Sequence, residues 1–173
     1  MRQISKPEAG EFAPYAAMYI DLLPDDGRVL EHLEENYEEV QMLISTIPAE
    51  RLVERPAPRK WTIKEILGHI IDDERIYAYR ALRFARGDQT ELPGFEQDPY
   101  VAIANANERP LGQMFGEYLS VRTSTISMFL SFDEAALRRT GLADGTRMSV
   151  RAIAYHIAGH ELHHLNGIRD NYL

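Results

Sequence analysis

Hydrophobic residues recur every three or four positions along four stretches of the chain, which is the spacing of the buried face of an α-helix. The first stretch covers residues 30–47 and is ended by Pro48. The second covers residues 62–86, the third covers residues 111–131, and the fourth runs from residue 150 to about residue 170. The pattern therefore predicts four helices of roughly twenty residues, a length that is common in helical bundles.

The segments around these helices support the same fold. Thr62 and Glu65 form a capping-box pattern before the second helix, and Ser149 is a suitable N-cap for the fourth. Residues 87–110 are too many for an ordinary turn and predict a long crossover between the second and third helices. The Asp-Gly pair at 144–145 predicts a hairpin turn between two short extended arms. The predicted fold class is all-α, a four-helix bundle with one long crossover.

Composition narrows the function classes. The 173 residues, of which 45% are hydrophobic, predict one domain that spans residues 1–173. The absence of cysteine excludes disulfides, iron–sulfur clusters and thiolate zinc sites. A net charge of -8 argues against nucleic acid and anionic membranes as partners. No signal sequence and no apolar run of roughly twenty residues is present, so we expect a cytoplasmic protein without a membrane partner.

The stretch "GHELHH" at residues 159–164 contains His160, Glu161 and His164 in the H-E-x-x-H pattern of zinc proteases. Gly167 and Asp170 extend the likeness to the metzincin signature. Only three residues follow Asp170, however, and on a continuing helix its side chain points about 240° around the axis from His164. The sequence therefore argues against a protease.

The two histidines of this motif still favour a metal. On a helical wheel His160 and His164 fall within the apolar stripe of Ile153, Ile157 and Ile168. Two buried imidazoles without partners would each cost about 1–3 kcal/mol. They could instead be core histidines bonded to a carboxylate or carbonyl of a facing helix, but for a pair four residues apart a shared metal ion is the better interpretation.

Other polar residues of the predicted helices are placed by the same wheel. Glu161 lies about 100° from His160, which predicts a position off the core face. His69 lies at the edge of the apolar stripe of the second helix and can face a neighbouring helix, whereas His32 is predicted to lie at the surface. Asp73, four residues after His69, could orient a ligand, join the coordination sphere or act as a catalytic base. A salt bridge between Asp73 and an arginine is the competing interpretation.

Three blocks of sequence carry a resemblance to a known family. "KWTIKEILGHIIDDERIYAYRALRFARGD", "LPGFEQDPY" and "SVRAIAYHIAGHELHHLNGIRDNYL" resemble the DinB-like (DinB/YfiT) superfamily of metalloenzymes. The resemblance implies a four-helix bundle of up-down-down-up topology. It also implies a divalent metal ion, zinc or nickel, held by His69, His160 and His164. His163 is then expected at the rim of the site, and His156 is a less favoured ligand.

The resemblance is a better guide to the presence of a metal ion than to the reaction that the protein catalyses. Members of the superfamily include thiol S-transferases that use bacillithiol or a related low-molecular-weight thiol, and a mycothiol-dependent isomerase. The chain is therefore expected to be a homodimeric enzyme whose metal activates a thiolate or water for attack on a small-molecule electrophile. A metal-dependent hydrolase and a non-enzymatic metal-binding stress-response protein remain as alternatives. Phe95 or Tyr100 of the crossover is expected to line the substrate pocket.

Overall fold

Four long helices and a set of short elements make up the computed structural model, which describes residues 1–173. The helices and strands are α1 (Ala17–Ile20), α2 (Val29–Ser45), α3 (Ile63–Ala85), α4 (Gln97–Ile103), α5 (Leu111–Leu130), α6 (Glu134–Arg138), β1 (Thr140–Ala143), β2 (Thr146–Ser149) and α7 (Val150–Tyr172). The four predicted helices correspond to α2, α3, α5 and α7. None of the helices combines the length and the apolarity that a membrane span requires.

The predicted helix starts and the hairpin are confirmed. The hydroxyl of Thr62 accepts a hydrogen bond from the backbone N–H of Glu65 at 3.1 Å, and the Glu65 carboxylate accepts the Thr62 N–H at 2.8 Å. The Ser149 hydroxyl caps α7 by accepting the N–H of Ala152 at 3.1 Å. Strands β1 and β2 pair in antiparallel fashion around residues 144–145, both of which have the positive φ that a tight hairpin turn needs.

The long helices form a bundle in which α2 and α3 lie diagonally opposite each other, because each packs against both α5 and α7. Helices α3 and α7 run antiparallel, since the Tyr172 hydroxyl at the end of α7 donates to the carbonyl of Trp61, just before α3. Helices α2 and α7 run parallel. Asn36 donates to the carbonyl of Ala158, and the later residue Glu39 pairs with the later residue Arg169.

Helix α5 runs in the same direction as α3. Gly68 near the start of α3 faces the Met114 side chain near the start of α5, and Glu74, further along α3, pairs with Arg122, further along α5. With α2 and α7 in one direction and α3 and α5 in the other, the order along the chain is up-down-down-up. The topology that the resemblance implied is thus confirmed, and the long crossover after α3 is what permits two consecutive parallel helices.

A polar layer crosses the bundle between two apolar clusters. In α7, residues 150–158 contribute their apolar side chains to one cluster, and Leu165 and Ile168 contribute to the other. In α3, the residues from Ile63 to Ile71 belong to the second cluster and those from Tyr77 to Ala85 belong to the first. Between these spans lie the buried polar residues Asp73 and Glu74 of α3 and His160 and Glu161 of α7, and the buried His69 lies one turn before Asp73. We call these buried polar residues the polar layer, and it holds the histidines described below.

Three short segments depart from the predicted pattern. The crossover contains α4, α6 follows α5, and the N-terminal segment folds back so that α1 packs on α7. The contact between α1 and α7 is made at Gly159, where an added Cβ would lie only 2.1 Å from the backbone oxygen of Tyr19. The first residue of the "GHELHH" stretch thus has a packing role, because only glycine lets α1 approach α7 so closely.

Candidate metal centre

Three imidazole rings meet in the polar layer. His69 of α3 places its Nε2 atom 3.0 Å from Nε2 of His160, and His164 places its Nε2 atom 3.1 Å from the same nitrogen. The nitrogen ligand atoms of the three residues all lie within 4.8 Å of one another. His69 and His160 are buried and His164 is half-buried. We call these three residues the histidine cluster.

The histidine cluster has the protonation state and the spacing of a metal site. Burial, followed by the neighbouring histidines, lowers the pKa of His160 to about 3 and that of His164 to about 2, and burial also lowers the pKa of His69. All three rings are therefore neutral near pH 7 and keep a lone pair. Two nitrogens at about 2.0–2.1 Å from one tetrahedral ion are spaced by about 3.3 Å. The distances of 3.0 and 3.1 Å from Nε2 of His160 to the other two rings are close to this value.

Asp73 lies on the other edge of the His160 ring. Its Oδ2 atom is 3.3 Å from Nδ1 of His160 and 3.7 Å from Nε2 of His156. Burial alone would raise the pKa of Asp73, but His160 and then His156 outweigh it and lower the pKa to about 2. The carboxylate is therefore an anion beside Nδ1. That position favours the tautomer with its proton on Nδ1, which leaves the Nε2 lone pair free for a metal.

Asp73 makes no ion pair with an arginine, which was the competing interpretation from the sequence. Its ion-pair contacts are the two histidines alone. The nearby guanidinium of Arg75 contacts Asp72 at 3.7 Å and Glu117 at 2.5 Å instead. Asp73 is not one of the groups whose ligand atoms converge with those of the three histidines, so it belongs to the surroundings of the cluster.

The predicted position of Glu161 was wrong. Its side chain is not off the core face but is 1% exposed, and its Oε2 atom is 2.9 Å from Nη2 of Arg122 on α5. The same guanidinium contacts Glu74 of α3 at 2.9 Å and donates a hydrogen bond to the Tyr118 hydroxyl at 3.1 Å. Helix α7 is covered by α1, α2 and α3 together, so it has no solvent-facing side at this level. We call Glu74, Arg122 and Glu161 the ion-pair network.

Two aromatic residues that the sequence analysis missed border the histidine cluster. The ring centroid of Trp61 lies 4.9 Å from that of His69 and 6.3 Å from that of His164. Tyr19 of α1 lies edge-on to His160, with centroids 5.2 Å apart. Trp61 is the only tryptophan in the chain and directly precedes the capping box, so its position could have been inferred. No pattern in the N-terminal segment points to Tyr19.

Two cavities flank the histidine cluster. One has a volume of about 490 Å³ and is lined by residues that include Trp61, Asp98, His163 and His164. The other has a volume of about 230 Å³. Its lining residues are Tyr15, Tyr19, Asp73, Tyr77, Phe95, Glu96, Gln97, His156 and His160. We call this second cavity the tyrosine pocket.

The remaining residues considered from the sequence lie around the cluster without joining it. His163 is exposed at the larger cavity, and His156 is buried at the tyrosine pocket. Of the two crossover aromatics, Phe95 lines the tyrosine pocket, whereas Tyr100 lines a separate cavity next to it. His32 is distant from the cluster and contacts the carboxylates of Asp26 and Glu35.

The up-down-down-up topology and the three histidines place the chain among four-helix bundles that carry a candidate metal centre between their helices. Within that class, residues 32–168 match the family model of the DinB superfamily, and the chain belongs to this superfamily. The resemblance found in the sequence is thereby confirmed.

Similarity to solved structures supports the fold. The chain superposes with a TM-score of 0.74 on YfiT from Bacillus subtilis, which is described as "a probable metal-dependent hydrolase with an unusual four-helix bundle topology". The two chains share 10% sequence identity, and the match covers 84% of this chain and 85% of YfiT. No curated protein matches the chain in sequence.

Proposed function

We propose that the chain is a metal-dependent enzyme in which His69, His160 and His164 hold one divalent cation. The observation that carries the proposal is the convergence of three neutral imidazoles through their Nε2 atoms, at 3.0 and 3.1 Å, inside a buried layer. Membership of the DinB superfamily and the description of YfiT as a probable metal-dependent hydrolase support it. Neutral imidazole ligands suit zinc and nickel, and these are the ions we expect.

The surroundings favour an open, catalytic site over a closed, structural one. A structural zinc site has four protein ligands, whereas a catalytic site has three and leaves a position for water or substrate. Asp73 faces Nδ1 of His160 at 3.3 Å. From that position it contacts a ligand and does not serve as a fourth ligand itself. A divalent cation bound there supplies Lewis acidity, which activates water or a thiol at neutral pH.

The residues of the chain have separate tasks in this proposal. Asp73 lies beside Nδ1 of His160, where its charge favours the proton on that nitrogen, so Asp73 acts by positioning a ligand rather than by removing a proton from the substrate. Trp61 and Tyr19 cover two sides of the histidine cluster and limit the access of bulk water. The two flanking cavities admit small molecules only.

The proposed reaction is the attack of an activated thiol on a small electrophilic substrate. Transfer from a thiol requires room for two molecules, and the two cavities on either side of the histidine cluster provide it. The second candidate reaction is hydrolysis, in which water takes the place of the thiol. The description of YfiT as a probable hydrolase favours this second candidate.

Elemental analysis of the untagged protein tests the metal site. We expect about one equivalent of zinc or nickel in the wild type and a loss of that metal in His69→Ala and in His164→Ala. The matched control is His163→Ala, which removes an exposed imidazole next to His164 and should keep the metal. Full metal retention in both cluster variants would contradict the proposed site.

A substrate panel tests the reaction class. Metal-loaded and metal-free protein would be incubated with aryl halide and ester substrates, each with and without bacillithiol or cysteine. Turnover that needs both metal and thiol supports the transferase, and turnover that needs metal alone supports the hydrolase. A metal-loaded protein that is inactive across the whole panel would contradict the enzyme proposal and favour a metal-binding role.

We also propose that the chain forms a homodimer. The observation that supports it is the exposure of the apolar side chains Leu119 and Leu130 along α5. Light scattering of the purified protein should give twice the chain mass of 19.8 kDa, and a monomer mass would contradict the proposal.

A further inference from the structure

The tyrosine pocket contains a buried histidine that the proposed metal site does not use. His156 is 2% exposed, and neither of its ring nitrogens has a hydrogen-bond partner, because the Oδ2 atom of Asp73 lies 3.7 Å from Nε2, beyond hydrogen-bond distance. Its ring stacks on that of Tyr77 with centroids 3.9 Å apart and lies edge-on to Tyr19 at 5.1 Å. Buried polar side chains in native proteins nearly always have a partner. An imidazole with two unpaired nitrogens at the wall of a cavity therefore points to a ligand in that cavity.

The charges of the tyrosine pocket restrict which ligand it can take. Its lining includes the carboxylates of Asp73 and Glu96 but no lysine or arginine. The Oδ2 atom of Asp73 faces Nδ1 of His160 at 3.3 Å and Nε2 of His156 at 3.7 Å, and it has no hydrogen-bond partner. Arg80 lies over the Tyr77 ring at 4.8 Å but lines the neighbouring cavity instead. A carboxylate or phosphate in the pocket would face two anions without a cation to pair with.

The pocket is also rich in phenol groups. The hydroxyls of Tyr15 and Tyr77 lie 3.2 Å apart, and burial, followed by the charge of Asp73, raises the pKa of both Tyr19 and Tyr77. These hydroxyls therefore stay protonated near neutral pH. Aromatic rings beside a carboxylate are favourable surroundings for a protonated amine, and the hydroxyls can pair with an amide.

We propose that the tyrosine pocket is a substrate subsite for a nitrogen-bearing group, an amine or an amide, and that His156 is the residue that determines this specificity. The subsite rests on the proposed enzyme function, because it adjoins His160 and would hold the part of the substrate that does not react. Tyr15 and Tyr19 precede residue 32, where the match to the superfamily begins.

Three small probes that share one ring and differ in charge test the subsite. Benzylamine, benzamide and benzoate would be titrated into the full chain, both metal-free and zinc-loaded, with binding followed by saturation-transfer NMR. In the metal-free protein we expect the amine and the amide to bind at least tenfold more tightly than benzoate. Tighter binding of benzoate, or no binding of the amine and the amide at millimolar concentrations, would overturn the proposal.

Variants separate the role of His156 from a loss of folding. His156→Phe keeps a planar ring without nitrogens and should weaken amine and amide binding about tenfold, whereas His156→Gln keeps a donor and an acceptor and should retain most of it. His163→Phe, at the other cavity, should change nothing. Unchanged affinity in folded His156→Phe, checked by circular dichroism, would overturn the assignment.

The readouts distinguish this subsite from the metal centre. If the purified wild type holds no metal and takes up none when zinc is added, but still binds the amine and the amide, the metal site is contradicted and the subsite stands. Stoichiometric metal without binding of the amine and the amide would contradict only the subsite.

Discussion

His160 and Glu161 are consecutive residues of α7, but they belong to two buried clusters of opposite kinds. In the ion-pair network, the guanidinium of Arg122 lies between two carboxylates, 2.9 Å from each, so unlike charges face one another. In the histidine cluster, three like groups face one another through their Nε2 atoms, and no charged side chain lies between them. Both clusters are in the same polar layer of the same bundle.

The comparison shows how a structural polar cluster differs from a candidate site. Burial favours the neutral form in both, because it lowers the pKa of His160 to about 3 and raises the pKa of Glu161. Arg122 then supplies the donors that Glu161 and Glu74 require, and the network is completed by residues of the chain. The histidines supply only lone pairs to one another. A cation would complete them, as Arg122 completes the network.

The largest effect is expected when the ion-pair network is broken. Arg122→Met leaves Glu74 and Glu161 buried without their common partner, and we expect a loss of about 3–5 kcal/mol in the free energy of unfolding. Urea denaturation measures it. The control is Arg75→Met, which removes the more exposed pair with Glu117 and should cost about 0–1 kcal/mol. Equal losses in the two variants would show that the network does not stabilise the bundle.

The histidine cluster should respond to added metal instead. At a free zinc concentration of 100 times Kd, we expect the unfolding free energy of the wild type to rise by about 2.7 kcal/mol. His164→Ala should abolish the gain and His163→Ala should preserve it. Thermal unfolding with and without zinc measures the effect, and quenching of Trp61 by nickel gives a second readout because the indole borders His69. A gain that survives in His164→Ala would place the ion elsewhere.

In the metal-free protein, the free energy of unfolding should depend on pH in a way that distinguishes the histidine cluster from the ion-pair network. The pKa values of His160 and His164 lie below the usual histidine value of about 6.5, so as the pH falls the unfolded chain binds protons that the folded chain does not bind. Stability is then fully present above about pH 6.5 and falls on acidification by up to about 1.4 kcal/mol per pH unit for each histidine. Urea denaturation between pH 7 and 5 should show a flatter slope in the double variant His160→Ala, His164→Ala. Equal slopes would contradict the burial of uncharged rings.

The smallest effect is expected for Glu161→Gln. Burial, followed by the charge of Glu74, raises the pKa of Glu161 above its usual value, which reduces the cost of replacing this carboxylate with the neutral amide of glutamine. We expect less than about 1 kcal/mol of destabilisation and an unchanged metal content. The sign of its pH effect is opposite to that of the histidines, because a raised pKa gives stability at low pH that is lost as the pH rises. Loss of metal in this variant would contradict a purely structural Glu161 and would favour a role at the metal centre, as in the H-E-x-x-H pattern of zinc proteases.

The helices and the histidines could be predicted from the sequence, but the difference between the two clusters could not. The spacing of apolar residues and the caps at Thr62 and Ser149 are local signals, and His160 and His164 share a face through helical geometry alone. The partner of Glu161 is Arg122, 39 positions away, and it becomes visible only when α5 is placed beside α3. A helical wheel that assumes one buried face also gives the wrong position for Glu161, because α7 is covered by other helices on several sides.

The N-terminal segment was missed for a different reason. Helix α1 has four residues, which is too short for a periodic pattern, and its position depends on the close approach of Tyr19 to Gly159. The tyrosine pocket is built partly from this segment. The sequence consequently predicted which histidines come together better than it predicted the walls of the cavity next to them.

The coordination of one cation by three Nε2 atoms is tested most directly by anomalous diffraction from crystals of the zinc- or nickel-loaded protein, measured at the absorption edge of the metal. We expect a single anomalous peak about 2.0–2.1 Å from the Nε2 atoms of His69, His160 and His164, with Asp73 still beside Nδ1 of His160. A peak bound by Asp73 or His156, or one outside the polar layer, would contradict the metal centre proposed for this chain.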